Sequence, residues 1–285
     1  MVTCPGAGAA GLARHDGVAI AYQVIGPSGP WLVLVHGLGY GRRGWGPFAT
    51  MLANSRRVVL VDNRGIGDSD CPPGPYSVDQ MAGDVVAVLD DIGIGSCDIL
   101  GASLGGMVTL QVTAAHPERI RRMVLIAATP GEPQGAPMPD NTTALLRGHV
   151  RVNNESTARK LIEGALAAQT VATRPELVDC LVDLHNEQDQ APEAWRSQAA
   201  ASAGFTLRRT LRTMATPTLA IAGTDDAVID PANTIALAFA LPDARAFFVA
   251  PAGHLCFWEE PELLAEAVHE HLDASRPAEA GESGA

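Results

Sequence analysis

An α/β fold, in which a mostly parallel sheet lies between layers of helices, is predicted by three features of the sequence. Short unbroken apolar runs, Trp31–Val35, Arg57–Val61 and Met123–Ala127, have the length and composition of strands buried on both faces. Amphipathic helical segments separate them; the clearest, capped by Ser77 and reaching Ile92, carries Val78, Met81, Val85, Val88 and Leu89 on one face. Strands alternating with helices in this way argue for right-handed crossovers and hence a parallel sheet. With 285 residues and 47% hydrophobic content, the chain can bury one large core, as a single enlarged domain or as a core with an inserted subdomain.

In chain order, residues 1–11 are small, polar and rich in glycine, and are expected to be poorly ordered. A first core part spans residues 12–130. Val18–Val24 suits an edge strand, and Trp31–Val35 runs into the glycine turn His36-Gly37-Leu38-Gly39. A helix near Pro47–Asn54 precedes Arg57–Val61, which stops at the loop Asp62–Ser69. After the helix ending at Ile92, the apolar stretch from Cys97 reaches Gly101-Ala102-Ser103-Leu104-Gly105, followed by a helix to Ala115 and the strand Met123–Ala127. From 131 to 213 no strand pattern remains. Helical segments near 141–152, 156–170, 175–186 and 192–213 read as an inserted helical lid, because helices placed between two sheet strands must pack over the ligand edge. The second core part, 214–273, holds the strand Pro217–Ala222, a helix over Pro231–Ala240, the strand Ala246–Val249 and a last helix over Pro261–Leu272. Residues 274–285 are again expected to be poorly ordered.

A formal net charge of −12, with Lys160 the only lysine, argues against a nucleic-acid partner, which needs clustered positive charge. Five widely spaced cysteines, none in a C-x-x-C pair, indicate neither a disulfide framework nor a zinc site, and suit reduced thiols in a cytoplasm. No apolar run approaches the ~20 residues that span a bilayer, so no membrane partner is expected. Neither a metal-ligand spacing nor a dinucleotide fingerprint is present, and no cofactor is expected.

The chemistry centres on Ser103. A serine between two glycines, after a buried strand and before a helix, suits a sharp turn that holds the hydroxyl clear of the sheet. Gly101 and Gly105 are required there because strand and helix pass too closely to admit a Cβ. The bland reading of the same residues is a helix N-cap serine. A neutral hydroxyl is a poor nucleophile and needs an imidazole to take its proton, with a carboxylate to fix the tautomer. Candidates follow in order: Gly223-Thr224-Asp225-Asp226 after one strand and Gly253-His254 after the next. Ligand sites of open α/β sheets lie beyond the carboxyl ends of the strands, so these loops can converge on Ser103.

GASLGG around Ser103, HGLG at 36–39, DNRGIGDS at 62–69, GTDD at 223–226 and the Gly253-His254 pair together resemble the α/β-hydrolase superfamily, and from Asp62 to Pro130 its esterase and enol-lactone hydrolase relatives. The resemblance implies an eight-stranded, mostly parallel sheet with a helical cap. It implies a catalytic triad of Ser103, Asp226 and His254; its pattern favours Asp226 over Asp225 because the acid stands three residues after the strand-end glycine. It also implies an oxyanion hole formed by the backbone N–H groups of Leu38 and Leu104.

The leading expectation is therefore a serine hydrolase that cleaves a small carboxylic ester or lactone through an acyl-enzyme. Acyl transfer or thioester cleavage by the same triad is an alternative, and a ligand-binding protein with a silent triad is a second. Gly37, Trp45, Phe205 and Trp258 are candidate pocket residues, with Trp195 and Phe257 beside them, although aromatic side chains fill cores by default. His36 is expected to order its own turn and Arg64 its loop; Cys256 lacks a histidine partner of its own and reads as a small hydrophobe. His185, in the insertion, is the least certain of the remaining histidines.

Overall fold

The computed structural model describes residues 8–147, 155–188, 190–207 and 211–274. Eight strands form one sheet: β1 (Ala9–His15), β2 (Val18–Ile25), β3 (Trp31–Val35), β4 (Arg57–Val61), β5 (Cys97–Ala102), β6 (Ile120–Ile126), β7 (Thr218–Gly223) and β8 (Ala244–Val249). Their spatial order is β1-β2-β4-β3-β5-β6-β7-β8; β1 and β2 pair antiparallel and β2 joins β4 antiparallel, whereas β4 through β8 run parallel. The expected eight-stranded, mostly parallel sheet is thus present.

Each central run divides its side chains between two cores, as period-two alternation requires. Val33, Val35, Val59, Val61 and Ile99 enter one apolar layer, and Leu32, Leu34, Val58, Leu60 and Leu100 the other. Helices cover both faces: α1 (Gly46–Leu52), α2 (Val78–Ile92) and α3 (Leu104–Ala115) belong to the first half of the chain. The expected Ser77 cap opens α2 and is a full capping box, with Ser77 accepting from the Gln80 N–H and the Gln80 side chain accepting from the Ser77 N–H.

Between β6 and β7 lie α4 (Asp140–Leu146), α5 (Glu155–Ala165), α6 (Ala168–Thr173), α7 (Pro175–Asn186) and α8 (Pro192–Ala203). Three boundaries differ from the sequence reading. The helix expected over 141–152 ends at Leu146, and the part of that expectation from residue 148 lies outside the described residues. The helix expected over 156–170 breaks at Leu166-Ala167, because the Ala167 N–H is taken by the Glu259 carboxylate, 2.9 Å away, instead of a helical carbonyl. The helix expected to reach 213 ends at Ala203, before Gly204. After β7 come α9 (Ala232–Ala240), α10 (Cys256–Glu259) and α11 (Pro261–Asp273).

The N-terminal expectation needs correction. Residues Ala9–Gly11, whose composition suggests poor order, belong to β1, and β1 rather than β2 is the sheet edge. The cause is a two-residue hairpin loop: His15 faces Val18, and Asp16 and Gly17 adopt φ of 49° and 80°. Asp-Gly is the pair that tolerates two successive left-handed residues, as such hairpins demand. At the other end, the Ala274 carbonyl accepts a hydrogen bond from Arg122. Residues 1–7 and 275–285, and with them Cys4, lie outside the described residues, as do His149 and Arg151.

His271, buried on α11, is pushed down to about 4 by burial, with Arg122 and Arg245 adding to the effect. His36 is likewise pushed down to about 4 by burial. Both are neutral in the folded protein while the unfolded chain protonates near pH 6.5, so stability is full above that pH and is lost as pH falls from about 6.5 towards 4. For His271, after discounting for solvent screening, the loss is about 2 kcal/mol. Urea unfolding between pH 8 and 4.5 should show a midpoint that is flat above pH 7 and falls below it. His271→Gln should shallow that fall.

Candidate active site

Leu38, Ser103, Asp226 and His254 all lie just past the carboxyl ends of strands, after β3, β5, β7 and β8 respectively. Between β5 and α3, Ser103 adopts φ 54° and ψ −120° and its side chain caps nothing. It is therefore not an ordinary N-cap serine. A non-glycine residue in this region costs about 1–3 kcal/mol and is held there by its surroundings. Those surroundings are the glycines: a Cβ on Gly101 would lie 2.2 Å from the Gly105 carbonyl oxygen, and one on Gly105 would lie 1.9 Å from that of Val35. Strand and helix meet backbone to backbone, and Ser103 takes up the turn.

The loops after β7 and β8 are joined. The Asp225 N–H donates to the Ala252 carbonyl at 2.9 Å, and Gly223 leaves room for the passing chain, since a Cβ there would lie 2.2 Å from the Ala252 and Gly253 carbonyl oxygens. This brings His254 Nδ1 within 2.9 Å of Asp226 Oδ2. The other oxygen of Asp226 accepts from the N–H groups of Val228 and Ile229 at 2.8 and 2.9 Å, which holds the buried carboxylate in one orientation. Asp225 is exposed, and among the described residues its carboxylate accepts from the Thr224 hydroxyl alone.

Ser103 and His254 open onto one cavity of about 380 Å³. Among the described residues the Ser103 hydroxyl has no hydrogen bond to His254; in enzymes of this kind such contacts tighten in the complex with substrate. The Leu104 N–H opens α3 and so has no intrahelical acceptor, and among the described residues neither it nor the Leu38 N–H has a hydrogen-bond partner. Beside Leu38, the His36 ring accepts from the Gly37 N–H at 2.7 Å, as expected of a residue that orders its own turn. Asn63 braces the same turn from the next loop by donating to the His36 carbonyl at 2.9 Å. Arg64 points away, into a buried pair with Asp84, and Cys256 is fully buried, which drives its thiol far above the ordinary cysteine range.

Of the pocket residues expected from sequence, Gly37 lines the cavity and Trp45, Phe205 and Trp258 do not. Trp45 belongs to a ring cluster with His36, Phe48 and Phe257 behind the turn; Trp258 donates its indole N–H to the Gly44 carbonyl at 2.8 Å; Phe205 packs in the core on the other face of the sheet. Phe257 and Trp195 do line it. Much of the remaining wall is aliphatic: Met138, Leu145, Leu146, Leu161 and Ile162 come from the insertion, and Val228, Ile229 and Leu255 from the core. His185 also contributes, and burial lowers its ring below the usual imidazole range. These wall residues carry no motif. Among the described lining residues there is one cation, Lys160, and no carboxylate.

The chain is similar over most of its length to known hydrolases. The chain is 29% identical over 260 residues to a 2-hydroxy-6-oxononadienedioate/2-hydroxy-6-oxononatrienedioate hydrolase of Burkholderia vietnamiensis, covering 89% of this chain and 90% of that one. It is also 29% identical over 252 residues to a pimeloyl-[acyl-carrier protein] methyl ester esterase of Aeromonas hydrophila, covering 86% and 95%. Among solved structures it superposes on the enol-lactonase of Burkholderia xenovorans with a TM-score of 0.80 at 26% identity, over 93% of this chain and 100% of the other. The alpha/beta hydrolase family matches residues 32–267, a span that holds the serine turn, the aspartate pair and the histidine loop alike. By sequence and by fold, the chain belongs to the alpha/beta hydrolase family.

Proposed function

We propose that the protein is a serine hydrolase that cleaves a small, largely apolar carboxylic ester or lactone through an acyl-enzyme. The observation that carries this reading is the 2.9 Å contact of His254 Nδ1 with a doubly anchored Asp226, on the wall of the cavity onto which Ser103 opens. In this mechanism Asp226 keeps the proton on Nδ1, leaving His254 Nε2 free to accept the Ser103 proton as Oγ attacks the acyl carbon. The developing oxyanion takes the N–H groups of Leu38 and Leu104, each worth on the order of 3 kcal/mol in the transition state. His254 then protonates the leaving oxygen and activates the water that releases the acid.

Residues 131–213 act as a lid that sets substrate size, a role supported by the aliphatic side chains they contribute to the cavity wall. Hydrolysis is favoured over transfer to a charged acceptor. Two arginines of that segment are engaged elsewhere, Arg159 with Asp179 and Arg174 with the Glu259 carbonyl, and no described arginine lines the cavity. A fluorophosphonate probe tests the reading: wild-type protein should be labelled at Ser103 within minutes, as mapped by peptide mass spectrometry. Absence of label under native conditions would point to a silent site.

A further inference from the structure

Around His254 the backbone is held from both sides. The preceding Gly253 N–H donates to Glu259 Oε2 at 2.6 Å, and the following Leu255 N–H donates to the Ala165 carbonyl at 3.1 Å. Ala165 ends α5 in the insertion. The second oxygen of Glu259 accepts from the Ala167 N–H, at the break between α5 and α6, at 2.9 Å, and the Glu259 carbonyl accepts from Arg174 at 2.6 Å. Glu259 is 2% exposed, and a buried carboxylate is retained only where its oxygens are well satisfied. The passage is also tight: a Cβ on Gly253 would lie 2.6 Å from the Ala165 carbonyl oxygen.

Resting on the serine-hydrolase reading, we propose that Glu259 is a positioning residue for His254, and that through it the α5–α6 connection of the insertion sets the imidazole's place. The insertion then does more than enclose substrate. Its backbone at 165–167 forms part of the frame in which His254 moves a proton from Ser103 to the leaving group. A glutamine at 259 retains one acceptor oxygen and presents an N–H₂ group to the other backbone donor, so one of the two links is lost whichever way the amide turns.

This predicts a specific kinetic signature. An alkyl ester needs its leaving alkoxide protonated by His254, whereas a p-nitrophenyl ester departs as a stable phenolate and depends less on that step. Glu259→Gln should lower kcat for an alkyl ester at least tenfold with KM within twofold, and lower kcat for the p-nitrophenyl ester by a clearly smaller factor, because with both esters His254 still takes the Ser103 proton and activates water. It should also broaden or shift the downfield proton NMR signal of the His254 Nδ1–H bonded to Asp226. Ala167→Pro removes the donor on the insertion side at a residue whose φ of −63° already suits proline, and should give the same split. Equal losses for both esters with an unmoved proton signal, or unchanged kinetics in both variants, would overturn the proposal. The NMR signal needs no turnover, so a wild-type protein that fails to label at Ser103 would sink the hydrolase reading while leaving the Glu259–His254 link readable.

Discussion

Ser103→Ala is expected to lower kcat by about 10⁵-fold or more while the protein keeps its fold and melting temperature. The substitution deletes one hydroxyl that makes no hydrogen bond among the described residues and retains the Cβ, so the packing of the β5–α3 turn is untouched. Without Oγ no acyl-enzyme forms, and what remains is the catalysis of water attack by the N–H groups of Leu38 and Leu104 together with substrate binding. Purified variant and wild type, compared by circular dichroism melting and by turnover of a panel of acyl esters and lactones, provide the measurement. Activity within tenfold of wild type would remove Ser103 from the mechanism.

Asp226→Asn should cost on the order of 10⁴ in kcat, for a different reason. The side-chain oxygen that accepts from Val228 and Ile229 has two donors at 2.8 and 2.9 Å, so an asparagine will keep its carbonyl there and turn its N–H₂ towards His254. An N–H facing Nδ1 makes that nitrogen the acceptor and moves the ring proton to Nε2, where it confronts the serine hydroxyl and can no longer receive its proton. The geometry survives and the tautomer is wrong. Asp225→Asn touches only an exposed bond with Thr224 and should stay within a few-fold of wild type. A larger loss at 225 than at 226 would reverse the assignment.

The two glycines of the serine turn illustrate what is legible in a chain. A Cβ cannot be accommodated where strand and helix backbones meet, and that demand is local, so Gly101 and Gly105 flank Ser103 in the sequence as they do in space. The Asp16-Gly17 turn is equally local, yet the small polar composition of residues 1–11 points away from the strand it pairs. The aromatic residues behave differently. Trp45 and Trp258 are as apolar as Phe257 and Trp195, yet the first two fill the space behind the glycine turn while the other two reach the cavity. Hydrophobicity records only that a side chain leaves water, not which of two enclosed spaces it enters.

The sequence by itself determined the parallel sheet, through strands apolar on both faces, and the order in which a serine, an acid and a histidine stand after successive strands. Those features arise from period, turn sterics and residue chemistry, each confined to a few neighbouring positions. Only the tertiary structure decided the rest. Whether Asp226 reaches His254, which helices of the insertion wall the cavity, and that Glu259 ties Gly253 to Ala167 are contacts between residues brought together by folding, the last across 92 positions of chain. A buried carboxylate on a short helix carries no mark of its partners. They are selected when the sheet and the insertion close around it, where the backbone N–H groups of Gly253 and Ala167 satisfy its two oxygens.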